Sequence, residues 1–147
     1  YGGSYEDPTA QLWPAIARKA LGGRPGQAAL REIKTALLAM PSHCLASDLW
    51  VARGNACALG AVDIQRTMAR TGMCWDYARL VVEHSIDEEW FRWEDPLEIE
   101  EAARERLGWT KTLIWEVMEK NDEQFRHYSP ECRWAAMLEW VQAHIKD

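Results

Sequence analysis

Four cysteines and four histidines carry the widest chemical range in this chain of 147 residues. Cys44, Cys57, Cys74 and Cys132 could each ligate a soft metal or attack an electrophile as thiolates. Spacing tests the first use. His43-Cys44 stands 13 residues before Cys57, Cys74 follows 17 later, and no C-x-x-C pair occurs. Structural zinc sites normally include at least one short ligand pair, and adjacent residues such as His43 and Cys44 rarely face one ion. No H-E-x-x-H is present either. No metal and no cofactor are therefore expected. Thiol catalysis needs an imidazole within hydrogen-bond reach. His43, His84 or His127 could serve Cys44 or Cys57 in the folded state. No local signature such as G-x-S-x-G accompanies them. A small cysteine-dependent enzyme is thus an alternative reading without assigned catalytic residues. The stretch Gly22-Gly23-Arg24-Pro25-Gly26 lacks the lysine–serine ending of a phosphate loop.

Carboxylates and aromatic rings form the denser constellation. Between Glu83 and Glu105 lie ten carboxylates and two arginines, with Trp90, Phe91 and Trp93 among them. A solvated helix rim with its rings folded inward is the bland reading. The functional reading is a docking surface: rings supply desolvated contact, and carboxylates supply orientation and association rate. The candidate partner-binding set is Trp90, Phe91, Trp93, Glu94, Asp95 and Glu98. Charge is uneven in the same sense. Residues 1–80 hold nine Lys/Arg against six Asp/Glu, a net +3; residues 81–147 hold eight against seventeen, a net −9. An acidic chain repels phosphate, so nucleic acid is not an expected partner and a protein with a basic surface is.

The segment 100–120, EEAARERLGWTKTLIWEVMEK, has the outline of a helix-turn-helix, and a DNA-binding unit over 97–120 is a second alternative. Two features depart from that pattern. Arg104 stands four residues before Gly108, where close helix packing needs a small residue, and Glu116 and Glu119 offset Lys111 and Lys120 on the second helix. The other reading is a tight αα corner inside a core.

These groups need a frame, and composition names its class. Alanine (20) and leucine (13) far outnumber valine (6) and isoleucine (7), which favours helices over sheets. The expected fold is all-α, a single compact bundle of six to seven short helices over residues 10–147, after an irregular arm at 1–9. Gly2-Gly3-Ser4 could be appended sequence and carries no fold argument. Turn and cap residues divide the chain. They predict a helix over 10–21 with Leu12, Ile16 and Ala20 on one face, a break at 22–26, and a helix over 27–40. A short helix should fall within 42–54. A central buried helix should run over 55–71, capped by Asn55 and stopped by Gly72. Tyr77, Leu80, Val81 and His84 mark another helix. Asp95-Pro96 opens one ending at Gly108, Thr110 caps the next, and Ser129-Pro130 opens the last. That last helix carries the stripe Trp134, Leu138, Val141 and Ile145. Nine tryptophans exceed what most small cores use, so most are expected inside and the remainder at an interface, including that of a homo-oligomer. No run of eighteen apolar residues occurs, so no membrane span is expected. Reduced thiols and the lack of a leader suggest a cytoplasmic setting.

Residues 54–61 (GNACALGA), Leu107-Gly108-Trp109 before a helix ending in Asn121-Asp122, and Pro130-Glu131 with Trp134 and Trp140-Val141 together resemble small uncharacterised helical proteins of bacteriophages and prophages. The resemblance spans roughly 54–145 and carries no catalytic motif. It implies a viral accessory protein acting in the host cytoplasm, one that binds and inhibits a host protein. The acidic stretch 83–105 has no counterpart in that pattern.

Overall fold

The computed structural model describes residues 12–47, 50–52, 54–86 and 96–146. Helix α1 (Trp13–Gly22) turns directly into α2 (Arg24–Ala39). The break expected over 22–26 is shorter because Arg24-Pro25 already belongs to α2. Proline in a first turn lacks only an N–H that has no helical acceptor there. Gly26 allows the corner to close: a Cβ at this position would lie 2.0 Å from the Ala20 carbonyl oxygen. That approach also fixes the rotation of α1. Ala17 and Leu21 face the core, whereas Leu12 and Ile16, expected inward, are exposed. Along α2, Leu30, Ile33 and Leu37 are buried, and Met40 beyond its end is buried with them, as their spacing predicts.

No helix forms within the described part of 42–54. Leu45 N–H donates to the Pro130 carbonyl at 3.0 Å and Ala46 N–H to the Ala56 carbonyl at 2.9 Å. A minimal antiparallel hairpin comes next, β1 (Val51–Ala52) on β2 (Asn55–Ala56), with Val51 opposite Ala56. Gly54 takes φ +80° in the hairpin connection and is not a helix stop, and Asn55 pairs with Ala52 in β2 and is not a cap. The cap of α3 (Ala58–Thr71) is Cys57 instead, whose Sγ accepts from Gly60 N–H at 3.4 Å.

Every residue from 58 to 64 is buried, and α3 is the central helix. It packs against α2, the hairpin, α4 (Trp75–Ser85), α5 (Pro96–Leu107) and α6 (Lys111–Met118). Gly72 stops α3 at φ +76° and Gly108 succeeds α5 at φ +71°. The Thr110 hydroxyl caps α6 by accepting from Leu113 N–H at 3.4 Å. A π-helical turn (Glu119–Gln124) extends α6, and the chain returns along α2 as α7 (Pro130–His144), capped by Ser129. The expected stripe on α7 is partly displaced. Trp134, Met137 and Val141 are buried, and Leu138 and Ile145 are only half-buried, because the i, i+3, i+7 set shares the core direction. Among the described residues there are seven α-helices around one core, and the fold is all-α. Of the seven described tryptophans, Trp50, Trp75 and Trp134 are buried and the others half-buried. No helix among the described residues is long and apolar enough to cross a membrane.

Two polar side chains lock the π-helical turn. Asn121 donates to the Ala46 carbonyl at 3.0 Å and accepts from Ala58 N–H at 3.2 Å, so it joins three segments. Arg133 is buried and donates to four carbonyls, those of Leu45 (2.6 Å), Tyr128 (2.9 Å), Phe125 (3.2 Å) and Arg126 (3.2 Å). A planar five-donor guanidinium suits this arrangement and an ammonium does not.

Candidate functional site

Trp90, Phe91, Trp93, Glu94 and Asp95 lie outside the described residues, and Glu98 is placed only as backbone of α5. Their frame is described on both sides. Ser85 closes α4 before the segment and Pro96 opens α5 after it. One ionic hub holds both helices. Arg106 on α5 donates through Nε to Asp63 Oδ2 at 2.7 Å and through a terminal nitrogen to Ser85 Oγ at 2.9 Å. Trp50 Nε1 donates to the same Asp63 oxygen at 3.0 Å. A buried carboxylate is costly unless paired and hydrogen-bonded, and Asp63 has both compensations. The carboxylates described in the acidic run divide. Glu101 and Glu105 are exposed, Glu83 is held by Arg79 at 2.6 Å, and Glu100 is buried with Arg104 at 3.5 Å and Lys111 at 3.8 Å.

Helix α4 leads into that segment and carries two apolar stripes. Trp75, Ala78 and Val82 face the core. Tyr77, Leu80, Val81 and His84 face outward and, with Met73, line an open groove of about 690 Å³. Tyr77 is 67% exposed, more than any other large apolar residue described, and Leu80, Val81 and Met73 are each exposed by about 40%. Single exposed apolar residues are ordinary; a contiguous stripe of four is the kind of surface that partners cover.

A second concavity lies along α7. Phe125, Tyr128, Trp140, Glu139 and His144 line a cleft of about 490 Å³, together with Cys132 and small alanines. Phe125 and Tyr128 approach with ring centroids 5.2 Å apart, as do Trp140 and His144.

Cys44 and Cys57 are both held toward the neutral thiol. Cys57 is buried, and burial, reinforced by the nearby Asp122 carboxylate, pushes its thiol up to about 12. Burial and Glu131 also raise the thiol of Cys44. His43 is stacked flat on Trp134, with centroids 3.8 Å apart and planes 4° apart, and His84 directs Nδ1 to the Leu80 carbonyl at 2.8 Å. Among the described residues no group of three His, Cys, Asp or Glu side chains converges as a metal site would require. The 97–120 segment packs as an αα corner. Leu113, Ile114, Glu116, Val117 and Met118 of α6 are buried in it, and Lys111 is exposed.

The outer face of α4 and the α7 cleft both escape pattern reading as surfaces, though one signal exists. On α4, Trp75, Ala78 and Val82 form a helical stripe that competes with Tyr77, Leu80, Val81 and His84, and a surface helix can bury only one. On α7, Tyr128 and Trp140 stand too far apart in sequence to suggest a shared cleft. No protein-family model, no curated protein and no solved structure matches this chain.

Proposed function

We propose that this chain is a non-enzymatic protein-interaction module, a phage accessory protein that binds and inhibits a host protein bearing a basic surface. On this reading it acts in the host cytoplasm by stoichiometric binding through Trp90, Phe91, Trp93, Glu94, Asp95 and Glu98. The observation that supports it most is the partly exposed apolar stripe Met73, Tyr77, Leu80 and Val81, which ends nine residues before the first of those rings. Apolar area supplies affinity when covered, and carboxylates beside it select a basic partner and speed its approach.

The test is affinity capture from bacterial lysate with the native chain, the triple variant Glu94→Lys, Asp95→Lys, Glu98→Lys, and Leu80→Glu. Captured mass and nucleic-acid content are read together, with helicity checked by circular dichroism. A protein held by the native chain and lost from both variants is the expected result. Undiminished capture by both variants overturns the reading, and so does capture of nucleic acid with a steep salt dependence.

A further inference from the structure

We infer that the cleft along α7 receives the ammonium group of a lysine side chain presented by the partner. This rests on the reading of the chain as a module for a basic protein and adds a second contact, on α7. The argument is one of charge and donor count. Among the described residues, Glu139 is the one carboxylate that lines the cleft; it is exposed and makes no ion pair with any of them. His144 contributes a second acceptor. Its Nδ1 lies 2.8 Å from the Trp140 carbonyl oxygen, which can only accept, so Nδ1 carries a proton. With Nδ1 as the donor, Nε2 is the acceptor of the neutral ring. Phe125, Tyr128 and Trp140 add π-systems, which attract a cation placed over them. With no lysine or arginine in the described lining, nothing there competes with an incoming ammonium and nothing recommends the cleft to an anion. Ala135, Ala136 and Ala143 give an apolar floor on which the methylene stem of lysine can lie.

The probe is the blocked tripeptide acetyl-Gly-Lys-Gly-amide, titrated into the full chain and followed by the indole N–H resonance of Trp140, assigned with Trp140→Phe. Its counterpart carries norleucine, which keeps the stem and removes the charge. A saturable shift is expected with the lysine peptide, weaker by about fivefold or more with norleucine and in Glu139→Gln. Glu139 is exposed, so this substitution leaves the fold intact, and circular dichroism checks that. Equal binding of the norleucine peptide, an unaffected Glu139→Gln variant, or no shift at all overturns the inference. Loss of peptide binding with host capture still dependent on Glu94, Asp95 and Glu98 removes the cleft alone. Peptide binding without any captured host protein removes the module reading and leaves the cleft.

Discussion

Replacing Gly60 with alanine sets two effects of opposite sign against each other. Gly60 lies in the first turn of α3, and alanine is favoured over glycine in a helix by about 1 kcal/mol. Propensity alone therefore predicts a more stable protein. The packing predicts the reverse. A Cβ at position 60 would stand 2.0 Å from the Trp50 carbonyl oxygen, 2.9 Å from its carbon and 3.2 Å from Val51 Cγ2. Helix and hairpin would have to separate by more than about an ångström to reach ordinary contact. Neither side has room, since Trp50 and Val51 are fully buried and residues 58–64 are buried throughout. The same Trp50 carbonyl accepts from Cys57 N–H at 3.1 Å, so the shift would also weaken a buried hydrogen bond. Overpacking costs about 1–3 kcal/mol, and a spoiled buried hydrogen bond about as much again. After the propensity gain, a net loss of about 1–5 kcal/mol remains, which lowers Tm by roughly 3–15 °C in a chain of this size. Thermal unfolding by far-UV circular dichroism measures it, with a urea titration as a second route. Gly72→Ala is the control: φ is +76° but nothing lies within 4 Å of a Cβ there, so only the left-handed backbone cost of about 1 kcal/mol applies. A Gly60→Ala protein that melts at or above the native one, or above Gly72→Ala, would refute the close approach.

Three further outcomes are expected. Glu116 is buried, and burial raises its carboxyl above the usual range against the opposing pull of Lys120, with Glu119 adding to the rise. The native state then holds this proton more tightly than the unfolded chain, so its contribution falls as pH rises through and above the carboxylate range. Glu116→Gln should melt at or above the native protein at pH 7, with the advantage shrinking toward pH 4; a variant several degrees less stable at pH 7 would contradict this. Arg133→Lys should cost about 2–4 kcal/mol, because one ammonium cannot serve four carbonyls from a buried site, and a urea midpoint equal to the native value would show that the carbonyls have other donors. Thiol labelling under native conditions should modify Cys74 and Cys132 first, Cys44 more slowly and Cys57 only on unfolding. Fast reaction at Cys57 would mean that the N-terminus of α3 opens readily.

Where cap, stop and apolar period agree, as over 110–118 with Thr110 before Leu113 and Val117, the sequence is a reliable guide to the fold, and Gly72 and Gly108 stop their helices as expected. It misleads where one residue type serves two geometries. Gly54-Asn55 suits a helix stop followed by a cap and equally a hairpin; the pairing of Ala52 with Asn55 and Val51 with Ala56 is the hairpin, and the carbonyl of Ala56 also accepts from Ala46. Gly60 permits a close approach to α3, and the backbone that approaches is that of Trp50. Helix α1 shows a similar limit: its rotation is set by the contact of Gly26 with Ala20 and Leu21, so Ile16 turns outward although its own spacing suits a core face. The candidate residues at 90–98 stand out by charge and ring content, which are legible in any sequence, whereas the α7 cleft depends on a return of the chain between Phe125 and Trp140 that no local pattern encodes.

The second stripe on α4 bears on the proposed reading because it is unnecessary for folding. Trp75, Ala78 and Val82 already seat the helix, and Asp76 supplies the acidic residue that a helix N-terminus favours. Lysine or glutamate at 80 would match leucine in helix propensity and spare the solvent an apolar side chain. Leu80, Val81, Met73 and above all Tyr77 therefore add surface that the chain leaves partly exposed and that a covering body can remove from water. The Arg106 hub ties the end of that surface to the core: it joins Ser85 at the end of α4 to Asp63 within α3 through the C-terminal turn of α5. Breaking the hub with Arg106→Met should thus weaken partner capture more than it lowers helicity. Capture that survives this substitution at full strength would separate the α4 face from the acidic segment and leave each to be tested alone.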